Sequence, residues 1–316
     1  MTSPLRAFIF PGQGAQTIGM GRALADTWPE ARAVFEAVDD ALGQKLSALI
    51  WEGDAAELTL TANAQPALMA TSLAGMAALA AEGVAVTDAA FVAGHSLGEY
   101  SALAAAGALS LADTARLLRL RGQAMQAAVP VGEGAMAAVL GLDVGAVERL
   151  AGDAAAATGG VCEAANDNDP AQVVVSGSAA AVAHVIENAR AAGAKRALAL
   201  PVSAPFHCAL MEPAARAMAE ALASVQIKAP SVPVVANLRA AAVTDPEEIR
   251  ALLVAQVTGR VRWRESVAWM AGQGVGEFWE VGAGKALSGM VRRIAPQAAT
   301  VSIGTPEDLR AALPAG

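Results

Sequence analysis

Five residues, Gly94-His95-Ser96-Leu97-Gly98, constrain the fold more than any other stretch of this sequence. The apolar run Phe91-Val92-Ala93 precedes them, and a helical pattern runs from Ser96 to about Ala106. A G-x-S-x-G pattern between strand and helix describes a tight turn: the serine takes a strained backbone, and the glycines remove side chains that would collide. The hydroxyl then sits at a helix N-terminus, where free backbone N–H groups can stabilise an oxyanion. Ser96 is therefore the candidate nucleophile.

The rest of the chain supports α/β architecture with a largely parallel sheet. Residues 7–10 form an apolar first strand that breaks at Pro11-Gly12. A long helical stretch follows to about Asp40, then helices over 42–51 and, alanine-rich, over 64–82. Ser110 with Asp113 three residues on resembles a capping box opening the next helix. Between 134 and 200 the grain changes. Strand 135–140, helix 144–157, strands 161–165 and 172–176, helix 179–192 and strand 196–200 give the ferredoxin-like order βαββαβ. Asn166-Asp167-Asn168-Asp169-Pro170 is expected as the loop between the middle strands. A small domain over 129–203 thus interrupts a larger one over 1–128 and 204–316. After it come a helix following Pro205, a strand over 232–236, and a helix opened by Asp245-Pro246-Glu247-Glu248. A helix over 263–273, a strand over 277–281 and a last helix from Thr305-Pro306-Glu307-Asp308 complete the chain.

Composition narrows the function. The 316 residues carry 22 basic and 30 acidic side chains, net charge −8, which argues against a nucleic-acid binder. The chain is 55% hydrophobic, so disorder is excluded. Its longest apolar stretch, 66–81, falls short of the ~20 residues a spanning helix needs, so no membrane segment is expected. Cys162 and Cys208 are too few for a disulfide framework or a multi-cysteine metal site, and a reduced, cytoplasmic setting fits. The Gly-rich loop Pro11-Gly12-Gln13-Gly14-Ala15-Gln16 lacks the third glycine of a dinucleotide fingerprint. It offers exposed N–H groups near the strand ends, as a second oxyanion donor or simply as a tight turn.

A serine nucleophile needs a base, and there are three histidines. His95 precedes the serine and should leave the turn in another direction. His184 sits mid-helix at the expected surface of the small domain. His207, in the Pro-punctuated segment Pro201-Val202-Ser203-Ala204-Pro205-Phe206-His207, remains as the base. Cys208 beside it reads as a small buried residue. No carboxylate is obviously placed to complete a triad, so a backbone or amide carbonyl is left to fix the imidazole tautomer.

FPGQGAQ, GHSLGEYSAL, RLRGQAMQ, NDNDPAQVVVSG, PVSAPFHCALM and EVGAGKALSGMVRRI, in this order, resemble the malonyl-CoA:acyl carrier protein transacylase family. The resemblance implies a hydrolase-like large domain with an inserted ferredoxin-like domain, and a ping-pong transfer without cofactor. Its partners would be malonyl-CoA and holo-acyl carrier protein, and the protein a monomer. It implies Ser96 as nucleophile, His207 as base then acid, and the N–H groups of Gln13 and Leu97 as oxyanion hole. It further implies the Gln256 main-chain carbonyl as the group orienting the histidine, Arg121 as the partner of malonyl's free carboxylate, and Phe206 as a selector against 2-methyl substituents. Ala283, where many relatives have Pro, and the acids Asp167 and Asp169 depart from the pattern. Because carrier proteins of this family are usually acidic, a local basic strip is expected. Lys195, Arg196, Arg260, Arg262, Arg264, Lys285, Arg292 and Arg293 are its candidates. A serine hydrolase or thioesterase, or an acyltransferase of polyketide assembly or malonate decarboxylation, would use the same elbow and histidine.

Overall fold

In the computed structural model, which describes residues 4–313, a six-stranded sheet and a four-stranded sheet carry the helices. The chain begins with β1 (Leu5–Phe10), then five helices: α1 (Arg22–Thr27), α2 (Pro29–Leu42), α3 (Leu46–Glu52), α4 (Ala55–Thr59) and α5 (Thr61–Ala81). β2 (Phe91–Gly94), α6 (Leu97–Ala105) and α7 (Leu111–Ala127) follow. Next come β3 (Gly134–Leu140), α8 (Val144–Thr158), β4 (Cys162–Asp169), β5 (Gln172–Ser178), α9 (Ala179–Asn188) and β6 (Arg196–Ala199). The last third holds α10 (Glu212–Ala223), β7 (Val234–Ala236), β8 (Ala241–Val243), α11 (Pro246–Gln256), α12 (Trp263–Gly272), β9 (Val275–Val281), α13 (Ala286–Ile294), β10 (Ala299–Ile303) and α14 (Pro306–Ala312).

The large sheet has strand order β10-β9-β1-β2-β7-β8, parallel except for the antiparallel edge strand β8. Its central strand explains why no alternation was visible in the sequence. Phe8 and Phe10 enter the core under α2, α5 and α7, while Ala7 and Ile9 enter a second core under α12 and α13. Both faces are covered there, so every position from Ala7 to Phe10 is apolar. The small sheet, order β4-β5-β3-β6, is antiparallel throughout. Val139, Val173 and Val175 pack beneath α8 and α9, whereas Met136, Ala138 and Val174 face the large core.

Several boundaries differ from expectation for local reasons. The long first helix divides into α1 and α2, because Pro29 holds Trp28 extended (φ −118°, ψ 118°). The second helix starts at Leu46 rather than 42, since Gly43 ends α2 in the left-handed region (φ 58°). After Pro205 the chain makes only a short turn before α10 opens at Glu212. The apolar stretch expected over 66–81 is part of a helix of 21 residues, long and apolar enough to cross a membrane; 83% of its most apolar window is buried inside the protein.

The largest correction concerns 166–170. Asn166 to Asp169 continue β4 and are buried, leaving only Pro170-Ala171 as the turn. This polar strand end joins the two sheets. Asp167 N–H donates to the Val261 carbonyl at 2.9 Å, and Val261 N–H donates to Ala165 at 2.8 Å. The Asp167 carboxylate receives Arg264 of α12, and the Asp169 carboxylate receives Arg293 of α13, each at 2.8 Å. Both carboxylates are 1% exposed, so each needs its cation. Arg264→Ala is expected to cost about 3 kcal/mol in denaturant unfolding, and Arg264→Ala with Asp167→Ala less than the single change. A cost below about 1 kcal/mol, the range of surface pairs, would show that Asp167 does not depend on Arg264.

Candidate active site

The strand–turn–helix over β2, His95-Ser96 and α6 brings Ser96 to a backbone of φ 53°, ψ −111°. A non-glycine residue there costs of order 1–3 kcal/mol, and the surroundings must hold it. The two glycines are there because of space. A Cβ on Gly94 would collide with the backbone of Gly98, and one on Gly98 would collide with the Phe10 carbonyl. Asn237, just past β7, completes the hold. Its Oδ1 accepts from Ser96 N–H at 2.8 Å, and its Nδ2 donates to the Gly94 carbonyl at 2.7 Å.

His207 comes from the segment before α10, and it too has positive φ, 60°. Its Nε2 lies 2.8 Å from Ser96 Oγ. Its Nδ1 faces the carbonyls of Gln256 at 2.9 Å and Gly259 at 3.1 Å. Carbonyls only accept, so Nδ1 carries the proton and Nε2 presents its lone pair to the serine hydroxyl. Two backbone carbonyls thus stand where a triad would have a carboxylate. Burial, then the neighbouring Arg121 cation, pushes the imidazole down to about 3 against the opposing pull of the Gln256 carbonyl. The ring is neutral and able to accept a proton at ordinary pH. His95 turns away as expected, with Nε2 2.8 Å from Asn168 Oδ1 on the small sheet.

Arg121 projects from α7 and is 1% exposed. Gly122 makes this possible, because a Cβ there would strike the Thr61 backbone and hold α7 off α5. The guanidinium donates to Gln65 Oε1 at 2.8 Å, to Gln256 Oε1 at 3.0 Å and to Ser96 Oγ at 3.1 Å. Its Nε has no partner, and no carboxylate lies within ion-pair reach among the described residues. Arg116 and Arg119, on the same helix, are different: Arg116 is an exposed surface pair with Asp113, and Arg119 bonds Asn63 and Gln44.

Ser96, His207, Arg121, Gln13, Leu97 and Phe206 line one cavity of about 360 Å³, walled on the far side by Asn166 and Leu200 to Val202. The amide of Leu97 lies in the first turn of α6, where no preceding helical carbonyl can take it. Gln256 contributes more than its backbone, for its Nε2 donates to the Ser96 carbonyl at 3.0 Å and to Glu99 at 2.8 Å. Glu99, Asn237, Gln65 and Asn168 are site residues that sequence reasoning missed. Glu99 alone had a visible signal, an acid inside an otherwise apolar helix three residues after the serine.

The eight basic candidates do not form one strip. Arg264 and Arg293 hold the buried aspartates, Arg260 pairs with Glu148, and Arg262 bonds Glu265 at 3.0 Å. Arg292 donates to Thr300 Oγ1. Lys195, Arg196 and Lys285 are exposed and have no acid partner among the described residues. Arg196 begins, and Lys195 immediately precedes, the strand β6 that leads into the cavity wall at Leu200.

The sequence matches the family described as acyl transferase domain over residues 7–301. It is 46% identical over 307 residues to the malonyl CoA-acyl carrier protein transacylase of Bacillus subtilis (strain 168), covering 97% of this chain and 96% of that protein. A crystal structure of an acyl-carrier-protein-S-malonyltransferase from Bartonella henselae superposes with TM-score 0.95 at 56% identity, covering 98% of each chain. A malonyl-transacylase in complex with a type II PKS acyl-carrier protein superposes with TM-score 0.94 at 40% identity, covering 98% of this chain and 99% of the other. With a hydrogen-bonded serine–histidine pair on a matching fold and a family match over nearly its whole length, the chain belongs to the acyl transferase domain family.

Proposed function

We propose that this protein transfers a malonyl group from malonyl-CoA to the phosphopantetheine thiol of an acyl carrier protein, serving fatty acid synthesis, through an ester on Ser96. The observation that carries the reading is Arg121: a fully buried cation 3.1 Å from the serine oxygen, with a spare donor and no carboxylate in direct contact among the described residues. The Glu99 carboxylate reaches it only through the Gln256 amide, so Arg121 still lacks a directly paired anion. An acyl group that bears its own carboxylate supplies that anion, and the planar guanidinium favours it over neutral acyl chains. The transacylase identity of the relatives supports the same substrate.

The geometry supports the following steps. Ser96 Oγ attacks the thioester carbonyl while its proton passes to His207 Nε2. The N–H groups of Gln13 and Leu97 receive the oxyanion. The C–S bond breaks, and the coenzyme A thiolate takes the proton from His207. In the second half the carrier thiol gives its proton to Nε2 and attacks the ester, and Ser96 leaves with that proton. Phe206, buried against the cavity, narrows the space beside the acyl α-carbon. No cofactor enters these steps.

We read residues 129–203 as an inserted ferredoxin-like domain in a hydrolase-like domain over 1–128 and 204–316. The βαββαβ element order, the strand order β4-β5-β3-β6 and the separate core under α8 and α9 support this. The carrier docks at Lys195 and Arg196, which flank the cavity wall, and the protein acts as a cytoplasmic monomer. One relative is bound to a type II PKS carrier, so transfer onto a polyketide carrier is the second reading.

Labelled malonyl-CoA with holo-acyl carrier protein is expected to put label on the carrier; free malonate instead would make the protein a hydrolase. In that assay Arg121→Ala should lower kcat/KM for malonyl-CoA at least about 100-fold while acetyl-CoA is used as well or better. Lys195→Glu with Arg196→Glu should raise KM for the carrier about fivefold and leave KM for malonyl-CoA alone, with the effect shrinking as salt rises. Since His207 is held at about 3, Ser96 acylation by the neutral ester p-nitrophenyl acetate should keep a constant kcat/KM from pH 7 to pH 5. A fall centred near 6.5 would show the imidazole titrating as if exposed.

A further inference from the structure

Glu99 is a carboxylate that the reaction above does not use. It is 3% exposed, on α6 directly beneath the nucleophile turn. Two donors, Asn237 N–H at 3.0 Å and Gln256 Nε2 at 2.8 Å, reach it, and both fall on Oε2. Gln256 is oriented by the two charges on either side. Its Oε1 accepts from Arg121, and its Nε2 donates to Glu99. The three side chains form a line, cation–amide–carboxylate, that ends at the serine oxygen.

This line balances charge only while the cavity is empty. A substrate carboxylate on Arg121 leaves one buried cation facing two buried anions, and the amide carries the mismatch back to Glu99. We propose that Glu99 binds a proton from water when a diacid thioester enters and releases it when the acyl group leaves, so that binding of the malonyl group is proton-coupled. The proton sits on Oε1, while Oε2 remains an acceptor, so both hydrogen bonds that hold the turn survive in either state. The malonyl carboxylate is ionised throughout the neutral range, so the proton goes to Glu99 and not to the substrate.

The groups around Glu99 leave it as the one that titrates near neutrality. Burial raises its carboxyl to about 7, against the pull of Asn237, Gln256 and Arg121. Tyr100 beside it is pushed up to about 12, and Arg121 from α7 is the cation of the line. His95 in the turn and His207 across the site are both lowered by burial and stay neutral. Gln256 of α11 and Asn237 after β7 carry no charge. The sign follows: rising pH removes the proton, restores the competing anion and weakens diacid binding.

The inference rests on the malonyl-transfer reading and is tested on the first half-reaction, where carrier chemistry does not enter. In wild type, the ratio of kcat/KM for malonyl-CoA to that for acetyl-CoA should fall about tenfold between pH 6 and pH 8.5. Glu99→Gln keeps an acceptor oxygen but is permanently neutral, and its ratio should be flat and higher than wild type at pH 8.5. A flat wild-type ratio, a Glu99→Gln ratio that still slopes, or one that falls below wild type at every pH would overturn the inference. Should Glu99→Gln not fold, calorimetry with Ser96→Ala in buffers of different ionisation enthalpy decides: malonyl-CoA should draw about half a proton or more at pH 7.5 beyond that drawn by acetyl-CoA. Equal proton uptake for the two ligands rejects the coupling. If wild type forms no malonyl ester at all, it is the transfer reading that fails.

Discussion

The backbone of Ser96 is the constraint around which the site is organised. At φ 53° it is held against its own preference by Asn237 and Gln256, and Gln256 is held in turn by Glu99 and Arg121. The glycines on either side let the strand, the turn and α6 come close enough for these bonds to form. Strain in the turn exposes the hydroxyl, and the same network that bears the strain sets the direction of Arg121. Ser96 and Arg121 therefore share one support, the Gln256 side chain.

A second seam gives the cavity its far wall. The end of β4 carries two buried aspartates, each matched by an arginine from the large sheet's helices, and Asn168 bonds His95, next to Ser96. Asn166, on the same strand, lines the cavity. The small sheet is thus registered against the Ser96 turn by directional polar contacts rather than by apolar packing alone. Apolar contacts tolerate sliding; paired charges with a buried partner do not.

Much of this was legible in the residues. The strand–turn–helix around Ser96 and the βαββαβ interval came from local pattern, and elimination among three histidines singled out the one that lies 2.8 Å from Ser96 Oγ. Local signals, however, misread 166–170, because Asn and Asp are turn formers unless a distant partner buries them, and Arg264 and Arg293 lie about a hundred residues away in sequence. The same pairs removed two candidates from the expected basic strip. Glu99 was passed over since an acid in a helix's first turn already has an ordinary explanation.

By itself, the sequence determined which chemical groups are available and where strands and helices begin, because glycine, proline, caps and apolar runs act over a few residues. Tertiary structure decided which of those groups meet. Whether an arginine is a surface charge or the cation facing the serine depends on one glycine letting two helices touch. Whether a carboxylate is solvated or responsive near neutrality depends on what is packed over it. Burial sets the protonation of His207 and Glu99, and burial is a property of the assembled fold that no short stretch of residues contains.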